Sequence, residues 1–93
     1  ALPRVPFGAL VENGWLKPGD RLFSPQRRYQ ARIRVDGSLT TGTSTGSIHR
    51  LGAHVQQAPA CNGWTYWHYE DPKRNLAPID MLRRRYREEM GLN

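Results

Sequence analysis

With 93 residues and 38% hydrophobic side chains, the chain has material for one modest core, and no run approaches the ~18 apolar residues needed to cross a membrane. A net charge of +6 and a pI near 10.3 point to a polyanionic partner. Twelve of the 14 cations are Arg, whose planar fork grips a phosphate or a guanine edge in two places, and no strongly amphipathic basic helix dominates the chain, which favours nucleic acid over an anionic membrane.

The chain starts at Ala1 without a charged-then-apolar leader, so we expect no signal peptide and a piece of a longer protein. Residues 1–6 read as a lead-in containing Pro3 and Pro6. Phe7, Leu10, Val11 and Trp15 then recur at helical spacing and predict a first helix over 7–16, stopped by Lys17-Pro18-Gly19-Asp20. Strands are expected within 21–41. Arg21 to Ser24 reads as a brief strand, and Tyr29 to Val35 alternates, with Ala31, Ile33 and Val35 inward and Arg32 and Arg34 outward. Asp36-Gly37 predicts a two-residue type I′ hairpin, after which Ser38 to Thr41 pairs back.

Gly42 to Gly46 reads as a small-residue loop, and Ser47 as the cap of a second helix over 48–57 with Ile48, Leu51 and Val55 on its buried face. Asn62-Gly63 turns into an aromatic strand over 64–69. After a polar loop from Glu70 to Asn75, Pro78 opens a last helix over 79–90, whose face is Ile79, Leu82 and Tyr86. The sum is one α+β domain over 1–93, a small antiparallel sheet of about three to four strands with three helices in the order α-β-β-β-α-β-α.

Several constellations bear on chemistry. The loop with Thr45, followed by Ser47 at a helix start, offers close backbone approach and unpaired N–H groups, which suit a phosphate. A nucleotide-binding P-loop is not indicated, because Gly46 stands where that motif needs Lys. Ser47, Arg50 and His54 lie opposite the apolar stripe with His49 beside them, a polar ridge whose competing reading is an ordinary solvated helix face. Asn62-Gly63-Trp64 combines an amide able to pair with an adenine edge and a ring able to stack on an unpaired base; the competing reading is a turn and a core Trp. In the run Arg83-Arg84-Arg85 with Arg87, whose competing reading is a solubilising face offset by Glu88 and Glu89, Arg83 and Arg87 are four apart, and these two with Arg27, Arg28, Arg32 and Arg34 supply candidate phosphate contacts.

No catalytic or metal site is expected. Cys61 is the only cysteine, so it forms no internal disulfide, fits a reducing cytoplasm, and has no sequence signal pairing it with His49, His54 or His68. These lone donors do not match Cys/His clusters.

The blocks Phe7-Gly-Ala-Leu-Val-Glu-Asn-Gly-Trp-Leu-Lys-Pro-Gly-Asp20, Val35-Asp-Gly-Ser-Leu39, Gly46-Ser-Ile-His-Arg-Leu-Gly-Ala53 and Cys61-Asn-Gly-Trp-Thr-Tyr-Trp67 carry a resemblance. Together, over about Val5 to Arg85, the chain resembles the C-terminal domain of the cell-cycle-regulated adenine DNA methyltransferases of alphaproteobacteria, which modify GANTC. That domain belongs to the family called restriction-enzyme and adenine-methylase associated. The resemblance implies a non-catalytic, double-stranded-DNA-binding domain that helps hold the recognition site open while the target adenine is extruded. It implies a catalytic domain ahead of this segment that binds S-adenosylmethionine, no cofactor here, and a bacterial, cytoplasmic, nucleoid-associated setting. By resemblance Ser47, Asn62 and Trp64 are DNA-contacting positions, to which His49, Arg50, Arg83, Thr45, Arg32 and Arg34 are added from their charge and placement. Two other readings compete: a protein-interaction or dimerisation module using the last helix, in a parent enzyme that pairs as a homodimer, and RNA binding by a basic sheet, which no RNP-type aromatic pattern supports.

Overall fold

Leu22, Ala31, Ile33 and Leu39 decide the architecture. In the computed structural model, which describes residues 4–92, Leu22 stands opposite Ala31 and Ile33 opposite Leu39 on neighbouring antiparallel strands. Side chains alternate along a strand, so these four make one apolar surface while their neighbours point the other way. All four are buried, and residues of every helix join the same core: Phe7 and Leu10, Ile48 and Leu51, Trp64, and Leu82.

The strands are β1 (Arg21–Phe23), β2 (Gln30–Ile33), β3 (Leu39–Thr40), β4 (Thr45–Gly46), β5 (His68–Glu70) and β6 (Leu76–Pro78), and the helices are α1 (Phe7–Glu12), α2 (Ile48–Gln56), α3 (Gly63–Tyr66) and α4 (Asp80–Glu89). They form a single antiparallel sheet in the order β4-β3-β2-β1-β5-β6. The class is α+β as expected, but the sheet has six strands in place of three to four and the helices number four in place of three. Of the lead-in over 1–6, residues 1–3 lie outside the described residues, while Val5 is already buried.

Each departure from the sequence reading has a local cause. The first helix, expected to reach residue 16, ends at Glu12. Gly14 takes a left-handed φ of 77°, its N–H reaches the Val11 carbonyl, and the Trp15 N–H reaches the Leu10 carbonyl at 2.9 Å, which is a Schellman stop. Leu16 is still buried, but past the helix. Gly14→Ala forces a Cβ into that left-handed position and is expected to cost about 1 kcal/mol, lowering the melting temperature by roughly 4–8 °C in a thermal scan.

The hairpin at Asp36-Gly37 exists, with a different turn. Among its central residues only Gly37 has positive φ; the Gly37 N–H bonds the Arg34 carbonyl and the Arg34 N–H the Ser38 carbonyl. That is a three-residue loop with Gly in the left-handed position, so the extra residue throws Val35 outward. Val35, expected inward, is 84% exposed. Asp36 accepts from the Ser38 N–H and hydroxyl, which hold its carboxyl below the usual value.

The small-residue stretch expected as a loop folds back as β4, with the Thr41 N–H on the Ser44 carbonyl closing the turn. A strand of two residues is too short to show a period, which is why β4 reads as loop, whereas β3 falls within the returning strand expected over Ser38 to Thr41. The largest correction concerns the aromatic run. Residues expected as a strand over 64–69 instead give α3, then Trp67, then β5. The polar loop expected from Glu70 to Asn75 is the turn of the β5–β6 hairpin, with Glu70 itself still in β5: Asp71 Oδ1 accepts from the Lys73 and Asn75 N–H groups, and β6 pairs with β5. Pro78, expected to open the last helix, ends β6 on the sheet's edge, where a missing N–H is tolerated.

Candidate functional site

Ser47 follows β4 and caps α2. Its Oγ accepts from the Arg50 N–H at 3.1 Å, and its extended backbone turns the chain from sheet to helix. The N–H groups of Ile48 and His49 have no acceptor within the helix, and the first turn holds no acidic residue. The partial positive charge of the helix start is therefore left uncompensated in its own turn.

His49 is fixed from behind. Its Nδ1 accepts the Gly63 N–H at 2.9 Å, and since a backbone amide can only donate, the neutral ring carries its proton on Nε2. Exposed His49 thus presents a donor outward, beside exposed Ser47 and Arg50. His54, a turn further on, bonds Ser44 Oγ at 2.9 Å.

Two clefts meet at Ser47 and His49. A shallow one of about 1000 Å³ runs over Thr45, Arg50, His54 and Cys61. The other, about 540 Å³, lies between the entering chain and the helices and is lined by Arg4, Phe7, Trp64 and Arg83. No Asp or Glu lines either cleft. The Cys61 thiol is pushed up from its ordinary pKa by burial, which disfavours the thiolate a nucleophile needs. Among the described residues no group of three or more His, Cys, Asp or Glu is placed to hold a metal ion, and no helix is long and apolar enough to cross a membrane.

In the Asn-Gly-Trp segment the structure shows the competing reading, a capped turn and a core Trp. Asn62 caps α3, with Oδ1 accepting from the Trp64 N–H at 3.1 Å. Gly63 is buried against α2: a Cβ there would lie 2.5 Å from the Ile48 carbonyl carbon and oxygen. Trp64, expected as an exposed stacking ring, is only 6% exposed. It meets Phe7 edge-on with centroids 6.0 Å apart, and the Arg83 guanidinium covers it at 4.3 Å. The β-propensity of the aromatic run loses to the Asn cap and to the close α2–α3 contact that only Gly permits.

Arg83 is likewise committed. It stacks on Trp64 and pairs with Asp80, which also holds Arg84. Arg32 lies on the far side of β2 and Arg34 just past that strand: both are exposed, and Arg32 Nη1 donates to the Gly19 carbonyl at 3.0 Å. The structure therefore gathers Thr45, Ser47, His49 and Arg50 on one surface, brings Trp64 and Arg83 beneath its rim, and sets Asn62 behind it as a cap. Arg4, which lines the second cleft, was not singled out in the sequence; no local signal shows that the entering segment folds back there.

Residues 2–92 match the sequence pattern of the family described as Restriction Enzyme Adenine Methylase Associated. Over 84 residues, 90% of this chain, the sequence is 31% identical to the Type II methyltransferase M.HinfI of Haemophilus influenzae, of which the chain spans 23%.

Proposed function

Because the chain belongs to the Restriction Enzyme Adenine Methylase Associated family, we propose that it is the non-catalytic, double-stranded-DNA-binding domain of an adenine-specific DNA methyltransferase. The finer reading is an enzyme of the GANTC type under cell-cycle control, acting in the bacterial cytoplasm at the nucleoid. Its catalytic domain holds S-adenosylmethionine, and this domain supplies DNA affinity and helps keep the recognition site open. Similarity to a type II methyltransferase supports the parent activity.

One observation carries the DNA reading: the two clefts that meet at the start of α2 contain Arg4, Arg50, Arg83, His49 and Ser47 and not one carboxylate. In a chain with 8 acidic residues, cleft walls without Asp or Glu around exposed Ser47, His49 and Arg50 favour phosphate, while Arg83 on the rim is already paired with Asp80. Among the described residues the dimerisation reading finds no comparable patch. Met81 and Met90, exposed on and just after α4, are nine residues apart, and at ~100° per residue they point to opposite sides.

Duplex binding by the chain is expected to weaken steeply with salt. Arg50→Ala should weaken it about tenfold and reduce the slope of log affinity against log salt by about 1, with thermal stability unchanged. A fluorescence-anisotropy titration at several salt concentrations measures both; duplex affinity and slope equal to wild type would remove Arg50 from the interface.

A further inference from the structure

Four residues from four strands lie side by side across the sheet face that the helices leave uncovered. The register sets Arg21 opposite Arg32, Arg32 opposite Thr40, and Thr40 opposite Thr45. Strands are ~4.8 Å apart, so the row runs for about 14 Å at right angles to them. It ends beside Ser47, where α2 begins. Arg21, Arg32 and Thr45 are exposed.

Two cations directly opposite one another across a strand pair destabilise a sheet. No ion pair within the described residues involves Arg21 or Arg32. The sheet also opens beside them: β1 and β5 pair only at Phe23 and His68, and the split widens into a cleft of about 680 Å³ lined by Arg21, Arg32, Arg27 and Arg74 together with Asp20 and Glu70. Both carboxylates have other partners. Glu70 pairs with Arg27 at 2.8 Å, and Asp20 accepts the Lys17 N–H at 2.9 Å. Arg27 also donates to the Arg74 carbonyl, and both Arg27 and Arg74 hold left-handed φ, 61° and 66°. Such conformations persist in non-glycine residues only where the surroundings enforce them. The far wall of the split is thus tied in place, and Arg32 is anchored through the Gly19 carbonyl with guanidinium N–H groups to spare.

We infer that Arg21 and Arg32 are a phosphate clamp, at which a DNA backbone that has met the start of α2 crosses the open face of the sheet at right angles to its strands. The inference rests on the DNA reading above and extends the contact from the helix start to the far side of the sheet. A phosphodiester between the two guanidiniums turns their mutual repulsion into shared attraction.

The test uses Arg21→Glu, Arg21→Ala and, as a charge control, Arg85→Glu on the exposed side of α4. Arg21→Glu is expected to raise the melting temperature, because it now faces Arg32 as an opposite charge, while weakening duplex binding at least tenfold. Arg21→Ala should weaken binding and reduce the salt slope without loss of stability. Arg85→Glu should have a clearly smaller effect than Arg21→Glu. Equal losses in those two charge reversals would reduce the clamp to net charge and overturn it. Wild-type duplex affinity in both Arg21 variants, with Arg50→Ala still impaired, would overturn it while leaving the DNA reading intact; a wild-type chain that binds no duplex would sink the DNA reading itself. Inorganic phosphate titrated alone separates the sources of the anion: saturation of the Arg21 and Arg32 side-chain NMR signals by millimolar phosphate, with no response to duplex, assigns the clamp to a free anion and overturns the backbone assignment.

Discussion

Gly63→Ala is expected to lower the melting temperature by roughly 12–24 °C, the equivalent of about 3 kcal/mol in a domain of this size. The added methyl would lie 2.5 Å from two backbone atoms of Ile48 and 2.8 Å from its Cβ, where carbon contacts normally settle near 3.5–4.0 Å. Backbone in the first turn of a helix cannot step aside, so α3 must retreat from α2. That retreat stretches two hydrogen bonds, Gly63 N–H to His49 Nδ1 and Trp67 Nε1 to the Ile48 carbonyl, both 2.9 Å. It also frees the His49 ring, so duplex affinity of the remaining folded protein should fall as well. Gly8→Ala in α1 is the matched control, because a Cβ there meets nothing within 4 Å and an α-helix gains about 0.5–1 kcal/mol from the exchange. Thermal unfolding followed by Trp fluorescence compares the two. Equal melting temperatures would mean that α2 and α3 do not touch at Gly63.

The same joint explains which parts of the molecule were legible in the sequence. Helices α2 and α4 are long enough for their apolar stripes to repeat, and both lie where the periodicity of Ile48, Leu51 and Val55 and of Leu82 and Tyr86 places them. Four alternating residues of β2 sufficed to separate Ala31 and Ile33 from Arg32. What failed is what depends on partners. β4 and β6, of two and three residues, have no period of their own and exist because a neighbour pairs with them. The aromatic run looked like a strand because propensity sees Trp64, Tyr66 and Trp67 one at a time and cannot see Ile48 pressing on Gly63.

The candidate site divides in the same way. Thr45, Ser47, His49 and Arg50 are neighbours in sequence, so a helix start and its preceding residues were enough to group them. Arg21 beside Arg32 follows from register alone, and register is set by the loop from Ser24 to Tyr29. There the buried Ser24 Oγ accepts the Tyr29 N–H and Arg27 turns left-handed. Nothing in the composition of that loop announces a left-handed Arg, a conformation most side chains avoid.

Trp64→Ala is expected to cost about 3–5 kcal/mol, the range for emptying a core aromatic position, which is most of the stability of a domain at the low end of the usual range of about 5–15 kcal/mol. The indole is 6% exposed, its edge meets Phe7, and its face carries Arg83 at 4.3 Å. Its removal takes the packing partner of α1 and the platform of Arg83 together. Loss of DNA binding in this variant would therefore say nothing about a contact between the indole and a base. Trp64→Phe separates the two roles: a smaller ring still packs on Phe7 and beneath Arg83, so the variant should fold with a loss of about 1–2 kcal/mol. It should also bind duplex in proportion to its folded fraction. The two measurements are circular dichroism on heating and anisotropy with duplex at low salt. If Trp64→Phe keeps its melting temperature yet loses binding tenfold or more, then the indole leaves the core when DNA arrives, Arg83 is the lid that releases it, and the buried packing belongs to the free domain alone.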